Sequence, residues 1–452
     1  MGLKDSIFAF PTRMKRNRSL KILVFSQYWF PEQGVPQRRW QWLASTLIDQ
    51  GAEIMVVAPT PHYRREKSWK NWGRSIFNGR ELDIEVGPSG EKILRCPYIP
   101  ATHSLTQRVL NQFVVACGMV YRVLPRSSSP RSFAPDLVIG TVPALPTAAV
   151  TLFVSKLLRV PYIIDLRDAW PDLLHASREW NKALGKKSLR QRLLEKGPKQ
   201  ALLRVVERVL WLVYSRADAM IFTSRYLQDS IMQMLDLRSH GQPEALLIRN
   251  VFPTPQLKSA KITNDERVAS APELRILYAG TIGRAQNLEN LLEAIEIAVE
   301  GGAEVKAKIV GKGDALPHLK ETWNDKSGSV QFEQAVGPEK MSEYYDWADC
   351  AVVHLADWEA LQRAVPSKTY ELMERGVFII GVVNGETASL IQSLGAGQVV
   401  PPNRPVLLAE KIKELARNRH LLELQGAAQT WVAKERKIVE TEILPRILGK
   451  NV

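Results

Sequence analysis

KILVFSQYWFPEQGVPQRRWQWLASTLIDQGAEIMVVAP, residues 21–59, decides how this chain folds. KILVFS is a short apolar run, WFPEQGVPQ is a loop rich in turn formers, and residues 38–50 repeat apolar positions at helical spacing until Gly51 stops them. AEIMVVAP then forms a second apolar run. Both runs are apolar throughout rather than alternating, which is the mark of strands buried on both faces of a parallel sheet. Strand, helix, strand in this order predicts a βαβ unit. DLVIGT from Asp136, PYIIDL from Pro161 and AMIFTS from Ala219 extend the same sheet, with helical patterns between them.

The alternation starts again at Leu274 with LRILYAGTIG, continues through NLENLLEAIEIAVEGG, and adds the runs AKIVGKG, SVQFEQAVG, CAVVHLA, VFIIGVV and GQVVP. A chain of 452 residues exceeds the roughly 250–300 residues at which one core stops growing. The expected fold class is therefore α/β, with two Rossmann-like, doubly wound parallel-sheet domains facing each other across a cleft. The expected organisation is a basic extension (1–20), a first domain (21–252), a polar, proline-bearing linker (253–272), a second domain (273–430) and a C-terminal helix (431–452) that crosses back to the first. Ligands of such sheets gather at the carboxyl ends of the strands. The loops to watch are thus PEQGVPQRR, TVPALP, LRDAWPD, GTIGRAQ, GKGDALP and RAVPSKTYE.

Composition narrows the partners. Sixty-one Lys and Arg against 47 Asp and Glu give a formal charge of +14, which favours phosphates, lipid head groups or nucleic acid. Nucleic acid is disfavoured because the basic residues lack interleaved stacking aromatics. Cys96, Cys117 and Cys350 are widely spaced, so neither a disulfide framework nor a zinc site is indicated, and a reducing cytosol fits. No signal peptide is expected at the N-terminus, and the bare myristoylation pattern of Met1, Gly2 and Ser6 is too short to carry weight. The uncharged run 137–155 is split by Pro143 and Pro146, so it reads as strand, turn and helix rather than a membrane span. No histidine pair, with His62, His103, His175 and His354 all isolated, suggests a metal, and Gly311 and Gly313 in VGKGD read as a tight turn rather than a dinucleotide fingerprint.

VPSKTYELMERGVFIIGVVNGE, residues 365–386, carries the most chemistry. Pro366 and Ser367 are positioned to cap a helix, and Lys368 and Glu371 lie three apart on one face of its first turn. An ammonium there suits a diphosphate, and a carboxylate one turn on suits the two hydroxyls of a ribose. This segment resembles the donor signature of the family 4 glycosyltransferases, a retaining group with the two-domain GT-B fold, and their lipid-carrier-directed bacterial branch. FPEQGVPQRRWQWLASTLIDQGAEIMVV, IIDLRDAWPDLL, YAGTIGRAQNLENLLEAI, KIVGKGDALPHL, VQFEQAVGPEKMSEYYDWADCAVVHL and VNGETASLIQSLGAGQVVPP occur in the order expected of that family.

The resemblance implies a nucleotide-sugar donor, most naturally UDP-linked, with no metal or other cofactor. It places Glu371 on the ribose and Lys368 on the diphosphate, with Gly34, Gly280, Gly283 and Arg284 around the phosphates. Val336 and Gly337 would read the base. Asp168 in LRDAWPD is the catalytic candidate, beside Arg167 and Trp170; a cap of the following turn is the structural alternative. Two departures stand out. The family's first glutamate falls on Arg363, and its two diphosphate cations fall on Thr281 and Gln286, with Arg284 between them able to replace one.

Residues 178–216 are strongly basic, and ALLRVVERVLWLVY within them has a wide apolar face. Lys186, Lys187, Arg190, Arg204 and Trp211 are the candidates for meeting an anionic membrane and a polyprenyl-linked or glycan acceptor, on a protein peripheral to the inner face of the cell membrane. A buried helix behind a solvated basic loop is the other reading. Two alternatives to a transferase remain: a non-catalytic subunit that kept the fold, and a nucleotide-sugar epimerase.

Overall fold

The computed structural model describes residues 18–32, 34–65, 68–70, 72, 84–100, 105–124, 133–142, 144–173, 198–238, 241–253, 273–323 and 327–449. The first domain runs β1 (Lys21–Phe25), α1 (Val35–Asp49), β2 (Glu53–Pro59), β3 (Ile84–Val86), β4 (Lys92–Cys96), α2 (Leu105–Val123), β5 (Leu137–Val142) and α3 (Leu145–Leu158). It continues with β6 (Tyr162–Leu166), α4 (Pro198–Ser215), β7 (Ala219–Phe222), α5 (Arg225–Leu237) and β8 (Glu244–Leu247). These strands form one eight-stranded sheet in the order β3-β4-β2-β1-β5-β6-β7-β8. Only β3 runs antiparallel to its neighbour. The order reverses direction at β1, so the chain winds outward on both sides of it.

The second domain runs β9 (Leu274–Thr281), α6 (Leu288–Glu300), β10 (Val305–Lys312), α7 (Leu316–Thr322), β11 (Val330–Gln334), α8 (Pro338–Trp347) and β12 (Cys350–His354). It ends with α9 (Ser367–Arg375), β13 (Phe378–Val382), α10 (Gly385–Ser393), β14 (Gly397–Val400), α11 (Pro405–Arg417), α12 (Ala427–Ile438) and α13 (Leu444–Ile447). Its six strands are all parallel, in the order β11-β10-β9-β12-β13-β14. Gly311 and Gly313 serve this packing. A Cβ on Gly311 would lie 2.0 Å from the Gly280 carbonyl oxygen, and one on Gly313 would lie 2.1 Å from that of Ile282. They are a close backbone approach, as the tight-turn reading expected.

The helix ends follow local chemistry. A proline in its first turn starts α1, where a missing N–H costs nothing, and Gly376 ends α9 at φ 67°, a conformation that favours glycine. Ser367 does not cap α9 as expected. Pro366 occupies the cap position and Ser367 is the first helical residue, so no side chain satisfies the first N–H groups of that helix.

A buried ion pair locks α1 onto the sheet. Arg39 Nη2 lies 3.1 Å from Asp165 Oδ1, and both side chains are fully buried. Trp40 Nε1 donates to the other carboxylate oxygen at 2.8 Å, and Arg39 Nη1 donates to the Ile248 carbonyl at 2.8 Å. One face of each sheet contributes to a single hydrophobic cluster that runs from Trp40 and Leu43 through Val251 and Phe252 to Tyr370 and Ile379. The C-terminal segment completes it with Val432, Val439 and Leu444. That segment also reaches the first domain directly: Trp42 Nε1 donates to Glu440 at 2.9 Å, Gln50 Nε2 to the Glu440 carbonyl at 2.7 Å, and Arg446 pairs with Glu244 at 2.6 Å.

Removing one partner of a buried pair strands the other charge. Asp165→Ala should lower the unfolding free energy by roughly 3–5 kcal/mol, read as a shift of the denaturant midpoint. Arg446→Ala, at a more exposed pair, should cost about 1 kcal/mol or less.

Candidate functional site

The two candidates carried by α9 come together between the domains. Lys368 Nζ lies 3.2 Å from Glu371 Oε2 and donates to Tyr345 Oη at 2.7 Å, and Tyr345 Oη donates to Glu371 Oε1 at 3.1 Å. From the first domain, Arg38 Nη1 reaches to 3.8 Å of Glu371 Oε2 while its guanidinium lies 4.7 Å from the Phe252 ring. Arg375, one turn beyond Glu371, covers the Tyr345 ring at 4.7 Å. Burial pushes the Lys368 ammonium below its ordinary value; Glu371 opposes the shift, whereas Arg38 and Arg375 add to it. A recess beside this cluster is lined by Asn250, Phe252, Ser367, Glu371 and Glu374.

The remaining donor candidates lie at the carboxyl ends of strands, in both sheets. Gly34 caps α1 in an extended conformation (φ −173°), and a Cβ there would meet only Pro36 at 3.5 Å, so the backbone itself does not demand glycine. Gly280 is the penultimate residue of β9; Gly283 and the exposed Arg284 follow the strand. Gln286 folds back, its Oε1 accepting from Gly283 N at 3.2 Å, and the Thr281 carbonyl accepts from Tyr278 at 2.5 Å. Val336 packs on the shared cluster, and Gly337 caps α8 without a side-chain bond and with open space where a Cβ would stand.

Asp168 follows β6 at the corresponding edge of the first sheet. Burial raises its pKa; Arg167 opposes the shift and Asp165 adds to it. Its carbonyl accepts from Trp170 N at 2.7 Å. Arg363, at the position where the resemblance places an acid, pairs with Asp172 of the first domain and with Glu359. Beside it, Ser224 Oγ donates to the Arg363 carbonyl.

A second clasp was not anticipated. Glu386, in the first turn of α10, accepts from the backbone N–H groups of Arg225 (3.0 Å) and Tyr226 (2.6 Å), at the start of α5, and from Arg249. The uncapped start of α9, Tyr345, Arg38 and Glu386 all escaped the sequence reading. Only Glu386, lying in VVNGE, carried a signal that could have found it.

The membrane candidates divide. Lys186, Lys187 and Arg190 lie outside the described residues. Arg204 is exposed, as expected. Trp211 is not at the surface: it is 3% exposed, edge-on to Tyr214, covered by Arg238 at 4.4 Å, and it donates to Glu207 at 3.3 Å. The helical period turns Trp211 and Tyr214 onto the sheet and leaves Leu202, Val205, Val209 and Leu212 facing outward. Among the described residues no helix is long and apolar enough to cross a membrane, and no group of three or more His, Cys, Asp or Glu is placed to hold a metal ion.

Comparison with known proteins decides the family. The Glycosyl transferase 4-like domain matches residues 34–240, and Glycosyl transferases group 1 matches residues 273–418. The chain belongs to these glycosyltransferases. WcaI of Escherichia coli K12, named for glycosyl transfer in colanic acid biosynthesis, is 22% identical over 79% of this chain and 82% of its own length. WbjE of Pseudomonas aeruginosa, named as a probable glycosyltransferase, is 24% identical over 47% of this chain; the match spans about half of WbjE, 53%. The Anabaena Alr3699/HepE crystal structure, solved in complex with UDP-glucose, covers 95% of this glycosyltransferase and 99% of itself with a TM-score of 0.61 at 15% identity, a likeness of fold. The two facing parallel-sheet domains are the GT-B fold.

His354, at the end of β12, supplies a pH test of the second domain. It is 2% exposed, its Nε2 lies 2.9 Å from Asn290 Nδ2, and burial lowers its pKa to about 4. An unfolded histidine titrates near 6.5. As pH falls from about 6.5 to about 4, the unfolded chain takes up a proton that the folded chain refuses, so stability is lost on acidification. His354→Gln should flatten the fall in melting temperature between pH 7 and pH 5 relative to the parent.

Proposed function

We propose that this glycosyltransferase moves a sugar, with retention of configuration, from a UDP-linked donor to a lipid-linked or glycan acceptor presented at a membrane surface. The Lys368–Tyr345–Glu371 cluster in the interdomain recess is the observation that carries the donor half of this reading. A carboxylate held by neutral and cationic donors is able to exchange them for two ribose hydroxyls, and an ammonium beside an uncapped helix start suits a diphosphate. Catalysis then rests on positioned charge that steadies the leaving diphosphate as it departs. Gly34, Gly280, Gly283 and Arg284 are assigned to the phosphates and Val336 and Gly337 to the base. Asp168 is assigned to the reacting carbon, where burial that raises its pKa suits proton exchange with an incoming hydroxyl.

The membrane half is supported by three neighbouring helices. α3 packs between α2 and α4, and along their outward faces lie Phe113, Tyr121, Phe153, Leu157, Leu202 and Val205, each at least 46% exposed. Among the described side chains these helices expose the cations Lys156, Arg204 and Arg208 and hold one acidic residue, Glu207. Apolar side chains among cations, with the acid already engaged by Arg238 at 3.5 Å, match an anionic bilayer.

Glu371→Ala should weaken UDP binding by about tenfold or more, measured by calorimetry; an unchanged affinity refutes the donor site. Parent protein should sediment with vesicles containing phosphatidylglycerol and not with phosphatidylcholine alone. Combined serine substitution of Phe113, Phe153 and Leu202 should abolish that, and equal sedimentation of parent and variant would remove the membrane assignment. One observation favours a second reading: Arg363 stands where the family has an acid and is engaged with Asp172. A non-catalytic subunit would bind UDP yet release no nucleotide from any donor in the presence of membrane extract.

A further inference from the structure

The turn after β9 carries Thr281 and Gln286 in place of two cations, and both are occupied locally: the Gln286 amide oxygen is held by Gly283 N and the Thr281 carbonyl by Tyr278. Positive charge gathers also around Glu371: Lys368 pairs with it, Arg38 approaches it and Arg375 lies over the adjoining Tyr345 ring, while the neighbouring carboxylate, Glu374, is taken up by Arg436 at 2.6 Å. Arg38 lies 3.8 Å from that carboxylate, too far for a hydrogen bond. Arg38 Nη2 and Arg375 Nε are both buried without a hydrogen-bond partner. Guanidinium nitrogens left without a partner beside a third cation mark a place where an anion is stabilised on arrival.

We propose that Arg38, on the first domain, is a further cation that meets the donor's diphosphate, so that the nucleotide bridges the two domains; the proposal rests on the nucleotide-sugar reading above. In the unliganded protein Glu371 stands in for the missing anion by holding Lys368 and Tyr345 and attracting Arg38. When a nucleoside diphosphate enters, its phosphate oxygens take Arg38 and Lys368, and the carboxylate is released to the ribose. The aromatic contact with Phe252, at 4.7 Å, keeps the guanidinium aimed while it changes partners. The chain thereby adds from across the cleft a second cation to Arg284, which is the only one its donor turn keeps between Thr281 and Gln286.

The test is calorimetric titration of the full chain with UDP and with uridine, in the parent and in Arg38→Met and Arg38→Lys. Methionine keeps an unbranched stem on Phe252 and removes the charge; lysine keeps the charge. Arg38→Met should weaken UDP by about tenfold while leaving uridine within about twofold, and Arg38→Lys should hold UDP within about threefold of the parent. Unchanged UDP affinity in Arg38→Met overturns the proposal. So does an equal loss of UDP and uridine in both variants, which would make Arg38 a packing residue. If Glu371→Ala weakens UDP and Arg38→Met does not, the donor site stands and only the bridging role falls. A parent protein that binds neither UDP, GDP nor ADP removes both.

Discussion

The Arg39–Asp165 pair governs the geometry of the cleft. Two opposite charges, with no exposed surface on either side chain, are tolerable because Trp40, Ile248 and Asn250 add hydrogen bonds to them, leaving only Arg39 Nε without a partner. The consequence is directional. With Arg39 fixed inward, the rotation of α1 about its axis is fixed, and Arg38, one residue and about 100° away, is obliged to face the opening. Arg38 is therefore positioned first by its buried neighbour, through the helix, and only then by its own contact with Phe252.

Opposing domains need rigid reference points if a recess is to hold its shape, and the clasps supply them. Glu386 receives two backbone N–H groups at the start of α5 together with Arg249, a carboxylate at a helix N-terminus in the favourable sense of the dipole. Arg363 to Asp172 adds a second link beside it. A position that looked in the sequence like a damaged ligand contact is thus part of the join between domains, and its reversed sign is what the acidic partner opposite requires.

Both parallel sheets were legible because buried strands announce themselves as unbroken apolar runs, and the helices between them keep a 3.6-residue period. Lys368 and Glu371 were legible because three residues on one helix turn is a local relation. What escaped was non-local. Arg38 lies 333 positions from Glu371 in the numbering of the chain, and nothing in PEQGVPQRR says which of its two arginines is swallowed and which faces the recess. Trp211 failed for a different reason: an amphipathic helix shows which residues share a face, but not whether aromatic or aliphatic residues take the inner one. Ser367 failed through a one-residue ambiguity at a helix start, where Pro366 took the cap position.

The returning C-terminal segment has an architectural cost. Because Trp42 and Gln50 bond to Glu440 and Arg446 pairs with Glu244, the first domain is finished by residues that follow the whole of the second sheet. A chimera joined only at the linker would pair one parent's α1 with another parent's tail. Recombination between relatives that sought to exchange donor specificity while keeping the acceptor half would have to cut twice, carrying 427–449 with the recipient, so modularity in this architecture is that of an inserted cassette rather than of two beads on a string.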